Sequence, residues 1–336
     1  MQKRILKEMC LLFPIMTLKD MYKLKYGTIG PASKLITNYP WLSKILPSLE
    51  KINIDGEKIY NPVFAISNKE INKFIDEIDC LAFLAASIES TAEEEIFGNK
   101  IMFTIYDKDN EDLICINNYI ILPIENLNSL KLQDFPREYF RWDVEKILDF
   151  ELFFKKIIKE GFYKALIKCI SDEQDKELRR EKARIIISIK LFNEAFIKLS
   201  LTQPFSNIQV ILIASAFEAL LNLSPEAISA SFVHAISILV GENTSLFKKW
   251  CKDFYNYRSS LVHGDLEWNT NEINLKPFWE EGPSYSFIAR NLFTYCLETK
   301  LFLMGMFPEF KRQSFGFEKE MQRYSNKVSQ KVVFPQ

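Results

Sequence analysis

The chain has 336 residues, enough for two ordinary domains. Hydrophobic residues make up 48% of it and Phe alone fills 28 positions, a composition that excludes wholesale disorder. Its 43 basic and 44 acidic side chains leave a formal charge of -1, which argues against a protein that coats long duplexes through a basic surface. Only residues 311–336 are basic, with 6 Lys or Arg against 2 Asp or Glu. Any contact with RNA is therefore expected with a short or single-stranded segment, or through basic residues gathered by folding or dimerisation.

The six cysteines, Cys10, Cys80, Cys115, Cys169, Cys251 and Cys296, stand singly without a CxxC pair, which argues against a zinc site and a disulfide framework. In the first twenty residues, basic residues precede an apolar run, but Pro14 interrupts it and no small-residue cleavage site follows, so we read no signal peptide. No uninterrupted apolar stretch reaches about 20 residues, so no membrane span is expected and the expected compartment is the cytoplasm.

In chain order, Pro14, Pro31, Pro40, Pro47, Pro62, Pro123 and Pro136 break residues 1–140 into short elements. Strands are expected over Lys58–Ile66, Ile101–Tyr106 and Leu113–Leu122, and a helix over Ile71–Ser90. The intervening DKDNED has turn composition, so Ile101–Leu122 reads as a hairpin. Asp107 and Asp109 have the opening spacing of a calcium loop, but no Gly stands at its sixth position and Asn118 occupies its twelfth, which favours a solvated turn.

From Arg141 the hydrophobic period becomes helical. Helices are expected over Val144–Ile170, with a weak point at Gly161, and from about Asp172 to Leu199. An almost wholly apolar segment, Ile208–Leu223, reads as a central helix. Ser224 and Pro225 then have the residue types of an N-cap and first turn for a helix ending near Gly241. The next helix starts at Thr244 or Ser245, turns Phe247, Trp250, Phe254, Tyr257 and Leu261 inward and stops at Gly264. Ser284–Met306 closes the series. The fold class is α+β: a mixed α/β domain over 1–142, a helical domain over 143–310, and a flexible basic tail over 311–336.

Glu218 is the ionisable residue of this apolar central helix and needs a partner; Arg258, which interrupts a packing face, is the best candidate. Arg258 and His263 stand at the C-terminal end of one helix. Five residues rotate direction by about 140°, so on a straight helix they do not share a face. A bend in the last turn, a ligand lying along the helix end, or a second subunit would bring them to one site. His234 reads as an ordinary packed or partly exposed histidine.

The segments ILIASAFEALL (211–221) and FYNYRSSLVHG (254–264) closely resemble the HEPN superfamily, in particular its ApeA-like branch in bacterial anti-phage proteins. The resemblance covers about residues 204–305. It rests on Arg258, four intervening residues and His263, on Tyr257 before the Arg and Gly264 after the His, and on Glu218 in the preceding helix. Ser259 stands where the commonest version has Asn, Asp or His. Asp265 stands where nucleotidylation-controlled relatives carry Tyr, which gives that control no support.

The resemblance implies an all-helical HEPN-like bundle and a homodimer that cleaves RNA without a metal or other cofactor, leaving 2',3'-cyclic phosphate and 5'-OH ends. Arg258 and His263 are then catalytic, and Glu218, Tyr257 and Ser259 support or orient them. The substrate is single-stranded or loop RNA, the setting is abortive infection in antiviral defence, and the trigger is a phage-derived molecule or a nucleotide. The alternative is a non-catalytic dimerisation module that binds nucleotide or protein, with residues 1–142 as the sensor.

Overall fold

The computed structural model describes residues 10–13, 16–43, 46, 53–54, 57–58, 62–68, 70–88, 103–107, 112–118, 120–122, 148–149, 151–197, 207–223, 228–263 and 285–322. The architecture is α+β, in two compact units, Met1–Ser171 and Asp172–Gln336.

In the first unit, strands β1 (Cys10–Phe13), β2 (Met16–Thr17), β3 (Tyr22–Lys23) and β4 (Gly27–Pro31) precede the short helix α1 (Ala32–Leu35). Then come β5 (Asn53–Ile54), β6 (Glu57–Lys58), β7 (Val63–Ser67), helix α2 (Ile71–Ile88), β8 (Phe103–Asp107), β9 (Asp112–Asn118), β10 (Ile120–Leu122) and β11 (Leu148–Asp149). The main sheet runs β3-β4-β7-β1-β10-β8-β9 and is antiparallel except for the β10–β8 pair. Strand β7 is buried at every position, so its sequence VFAIS shows no apolar and polar alternation. Gly27 is required on β4, because a Cβ there would lie 2.6 Å from the Ile66 carbonyl oxygen and would also collide with the Phe74 ring.

The expected hairpin is present: β8 and β9 pair antiparallel from Phe103↔Asn118 to Asp107↔Asp112. Its second arm is shorter than expected, since β10 pairs with the other edge of β8. Asp109, the second residue of the calcium-loop spacing, lies outside the described residues. The expected strand over Lys58–Ile66 is instead two, β6 and β7.

Helices α3 (Glu151–Ile157) and α4 (Gly161–Ile170) replace the one helix expected over Val144–Ile170. Glu160 is extended (φ -71°, ψ 146°), so the chain leaves helical geometry and restarts at Gly161. Both helices are tied to the sheet unit through buried carboxylates. Glu151 accepts from Tyr22 Oη at 2.6 Å and from the amides of Lys19 and Asp20 at 2.9 and 3.3 Å. Glu77 of α2 accepts from the amides of Lys25 and Tyr26, both at 2.8 Å, and from Tyr163 Oη of α4 at 2.6 Å. These bonds satisfy carboxylates that burial would otherwise penalise. The units accordingly divide at 171/172 by contact, later than the 142/143 suggested by the change of hydrophobic period.

Among the described residues the second unit contains helices and no strand: α5 (Lys176–Ile197), α6 (Asn207–Leu221), α7 (Ile228–Val240), α8 (Ser245–His263) and α9 (Tyr285–Leu303). Asp175 caps α5 by accepting from the Leu178 amide at 2.7 Å, and Thr244 Oγ1 accepts from the Phe247 amide at 3.3 Å at the start of α8. Asn222 (φ 53°) and Gly241 (φ 64°) take the left-handed conformation that ends α6 and α7. Ser224, Pro225 and Gly264 lie outside the described residues. The core is aromatic. Phe217 of α6 meets Phe232 of α7, Phe254 of α8 and Phe293 of α9 at centroid distances of 5.6, 6.3 and 5.3 Å.

Residues 311–322, expected as part of a flexible tail, are docked instead. Phe317 is fully buried, 5.2 Å from the Phe247 ring, and Arg312 donates to the Ile238 carbonyl oxygen at 2.8 Å. Among the described residues no helix is long and apolar enough to cross a membrane.

Candidate functional site

Helices α7 and α8 are joined by residues 241–244, so they form an antiparallel helical hairpin. Ser229 Oγ donates to Asn256 Oδ1 at 3.5 Å and marks the register between them. An open groove of about 1190 Å³ runs along this hairpin. Arg258, Ser259 and His263 line it toward the end of α8, and Lys248, Lys249 and Lys252 line it nearer the hairpin turn. His234 of α7 lines it as well, so both histidines of the chain face one groove. Among the described residues no Asp or Glu lines it.

Arg258 is fixed from beneath by Glu218. Its Nη2 lies 3.1 Å from Oε1 and 3.4 Å from Oε2 of the carboxylate, and the guanidinium sits 5.6 Å from the Tyr255 ring centroid. Tyr255 Oη donates to Glu218 Oε1 at 2.5 Å. Burial, together with the neighbouring Glu218 carboxylate, pushes the Tyr255 phenol well above its ordinary pKa, so Tyr255 stays a donor at neutral pH. The side chains of Arg258 and Glu218 are 20% and 25% exposed, so the pair is screened only in part. Arg258 Nε is buried and has no hydrogen-bond acceptor among the described residues.

The expected meeting of Glu218 and Arg258 is thus present, and Arg258, Ser259 and His263 share the groove. Tyr257 is not among its lining residues: the phenol that holds Glu218 belongs to Tyr255, two positions earlier. Helix α8 is rotated from the expected packing. It buries Phe247, Trp250, Cys251, Phe254 and Tyr255, and leaves Tyr257 and Leu261 half-buried. Residues missed in the sequence are therefore Tyr255, His234 and the three lysines. For Tyr255 and two of the lysines the signal is a second stripe on α8, Lys248, Lys252, Tyr255, Ser259 and His263, at three- and four-residue spacing beside the aromatic one.

Burial also pushes the half-buried Tyr257 phenol upward. Among the described residues no three or more His, Cys, Asp or Glu side chains gather as a metal would need. In comparisons with protein-family models, curated proteins and solved structures the chain matches nothing in any of the three.

Proposed function

We propose that the end of α8 carrying Arg258 and His263 is the reaction site of a metal-independent endoribonuclease. The observation that supports it best is that these two residues line one groove whose wall, among the described residues, holds no carboxylate. Charge and shape there suit a phosphodiester, and the sequence resemblance to the HEPN superfamily supplies the reaction class. A neutral His263 imidazole takes the proton of a ribose 2'-OH, the 2'-oxygen attacks the adjacent phosphorus, and the 5'-oxygen leaves with a proton. Arg258 stabilises the charge that builds on the non-bridging oxygens. The products are a 2',3'-cyclic phosphate and a 5'-OH.

Glu218 and Tyr255 position Arg258, and Ser259 supplies a hydroxyl beside it. The protein works as a homodimer, with Val262, an exposed apolar residue next to His263, at the approach of the second copy. The HEPN-like bundle is then the effector of an anti-phage response in the cytoplasm, and the first unit is the sensor of a phage-derived or nucleotide trigger.

A second reading is favoured by one observation, that Arg258 already commits Nη2 to Glu218. On that reading the groove binds nucleotide or RNA without cutting it. The two are separated by incubating the full chain with single-stranded and stem-loop RNA in excess chelator, with and without phage-infected cell extract. Fragments with cyclic phosphate ends support the nuclease; RNA bound and recovered intact supports the binding module.

A further inference from the structure

The basic residues of the groove spread along α8 from Lys248 to His263, about 22 Å at 1.5 Å per residue, too far for all of them to serve one phosphodiester. With Ser229 level with Asn256, counting back along the hairpin puts His234 level with Cys251 and Lys252. On the same helix Arg258 lies six residues beyond Lys252 and His263 eleven, about 9 and about 16 Å away at 1.5 Å per residue. Lys248 and Lys249 are a further turn away from His263. The cluster of His234, Lys248, Lys249 and Lys252 therefore faces whatever occupies the groove at a distance from the reaction end.

Among the described residues no carboxylate cancels its charge locally. Glu242, at the hairpin turn, is occupied elsewhere: its Oε2 accepts from Ser314 Oγ and from the amides of Gly316 and Phe317. Asp253 follows Lys252 but does not line the groove. The three lysines are exposed and none has a carboxylate partner within ion-pair distance among the described residues. The opposite wall, from α7, is mixed: Ile228, Ala230, Val233 and Ile238 line it together with Ser229, His234 and Ser237, and Ile238 is 60% exposed. A cationic wall facing one that is partly apolar suits a single strand, whose phosphates meet the lysines of α8 and whose uncovered bases meet the apolar residues of α7. A duplex would keep its bases covered.

We propose that Lys248, Lys249 and Lys252, with His234 opposite, form a phosphate track that holds a single RNA strand several nucleotides away from the bond at Arg258 and His263. This rests on the ribonuclease reading for what happens at the far end, but the track itself is a binding site. At 3.4 Å per nucleotide of a stacked strand, about 9 to 16 Å is about three to five nucleotides, and fewer for an extended one. Affinity therefore rises with oligonucleotide length until the strand reaches the lysines.

The test uses the full chain and fluorescently labelled oligodeoxynucleotides of two and of eight nucleotides, which present phosphates but carry no 2'-OH. Anisotropy titrations across a salt series compare the wild type with Lys248→Gln/Lys249→Gln/Lys252→Gln, whose exposed substitutions should leave the circular dichroism spectrum and urea midpoint unchanged. Losing three phosphate contacts should reduce the log–log salt slope by about 2, so that between about 50 and 200 mM salt the wild type loses about 20-fold more affinity than the variant. The octamer, and not the dimer, should show this loss. An unchanged slope, an equal loss for both lengths, or no binding of the octamer by the wild type at low salt would overturn the track. Lysine-dependent binding of the octamer by a protein that leaves RNA intact would keep the track and remove the nuclease.

Discussion

A single nitrogen of Arg258 spans both carboxylate oxygens of Glu218, at 3.1 and 3.4 Å, so the other edge of the guanidinium takes no part in the ion pair. An arginine held this way is oriented without being fully consumed. Glu218→Gln keeps the volume and an acceptor for Tyr255 while removing the charge. Because the pair is partly exposed, the expected loss is about 1 kcal/mol of stability, read by urea unfolding. A double-mutant cycle with Arg258→Met should give a coupling of similar size; strictly additive losses would mean the pair does not interact in solution.

Tyr255→Phe deletes the 2.5 Å hydrogen bond to Glu218 and keeps a ring 5.0 Å from Phe232. A hydrogen bond to a charged group contributes about 1.5 to 3 kcal/mol, and the denaturation midpoint should fall accordingly. Tyr257→Phe, outside the groove, should leave any RNA cleavage unchanged. Equal losses of cleavage in both variants would remove the distinction between the two tyrosines.

Phe254 stacks on Trp250 at 5.4 Å and on Phe232 at 6.1 Å, and is fully buried. Phe254→Ala should cost about 3 to 5 kcal/mol through lost burial and a cavity between α6, α7 and α8. A change within about 0.5 kcal/mol of wild type would show that this aromatic cluster is not the core of the helical unit.

Glu151 gives a prediction in pH. Burial alone would raise its pKa, but hydrogen bonds from Tyr22, Lys155 and the amides of Lys19 and Asp20 outweigh it, and the carboxyl is lowered from 4.5 to about 2. A depressed folded-state pKa stabilises the fold above the unfolded value, and that contribution is lost as the pH falls through the folded one. Glu151→Gln should thus be less stable than wild type at neutral pH, with the gap closing between about 4.5 and about 2. A gap that stays constant on acidification would mean that Glu151 is not held as an anion.

Much of this was legible where one residue breaks a pattern. Glu218 is the charge on an apolar helix, and Arg258 the cation on a packing face, so their pairing follows from desolvation alone. The hairpin of β8 and β9 follows from its turn composition. Tyr255 was not legible, because FYNYR offers two tyrosines two positions apart, and only tertiary packing decides which of them α8 turns toward Glu218. The three lysines line a groove only because α7 supplies the opposite wall. The break between α3 and α4 falls at Gly161, the weak point in an otherwise unbroken apolar spacing. The basic charge of residues 311–336 masked Phe317, whose ring fills a place against Phe247 and Trp250.

The most direct test of the proposed chemistry is cleavage of an RNA oligomer, in excess chelator, with and without a single 2'-deoxyribose at the cut position. That change deletes the attacking hydroxyl and leaves the phosphates in place. Wild-type protein should cut the all-ribose strand to a 2',3'-cyclic phosphate and leave the deoxy position intact, and His263→Ala should slow cleavage by about 10² to 10⁴. Cutting at the deoxy position, or full activity in a folded His263→Ala protein, would contradict the account.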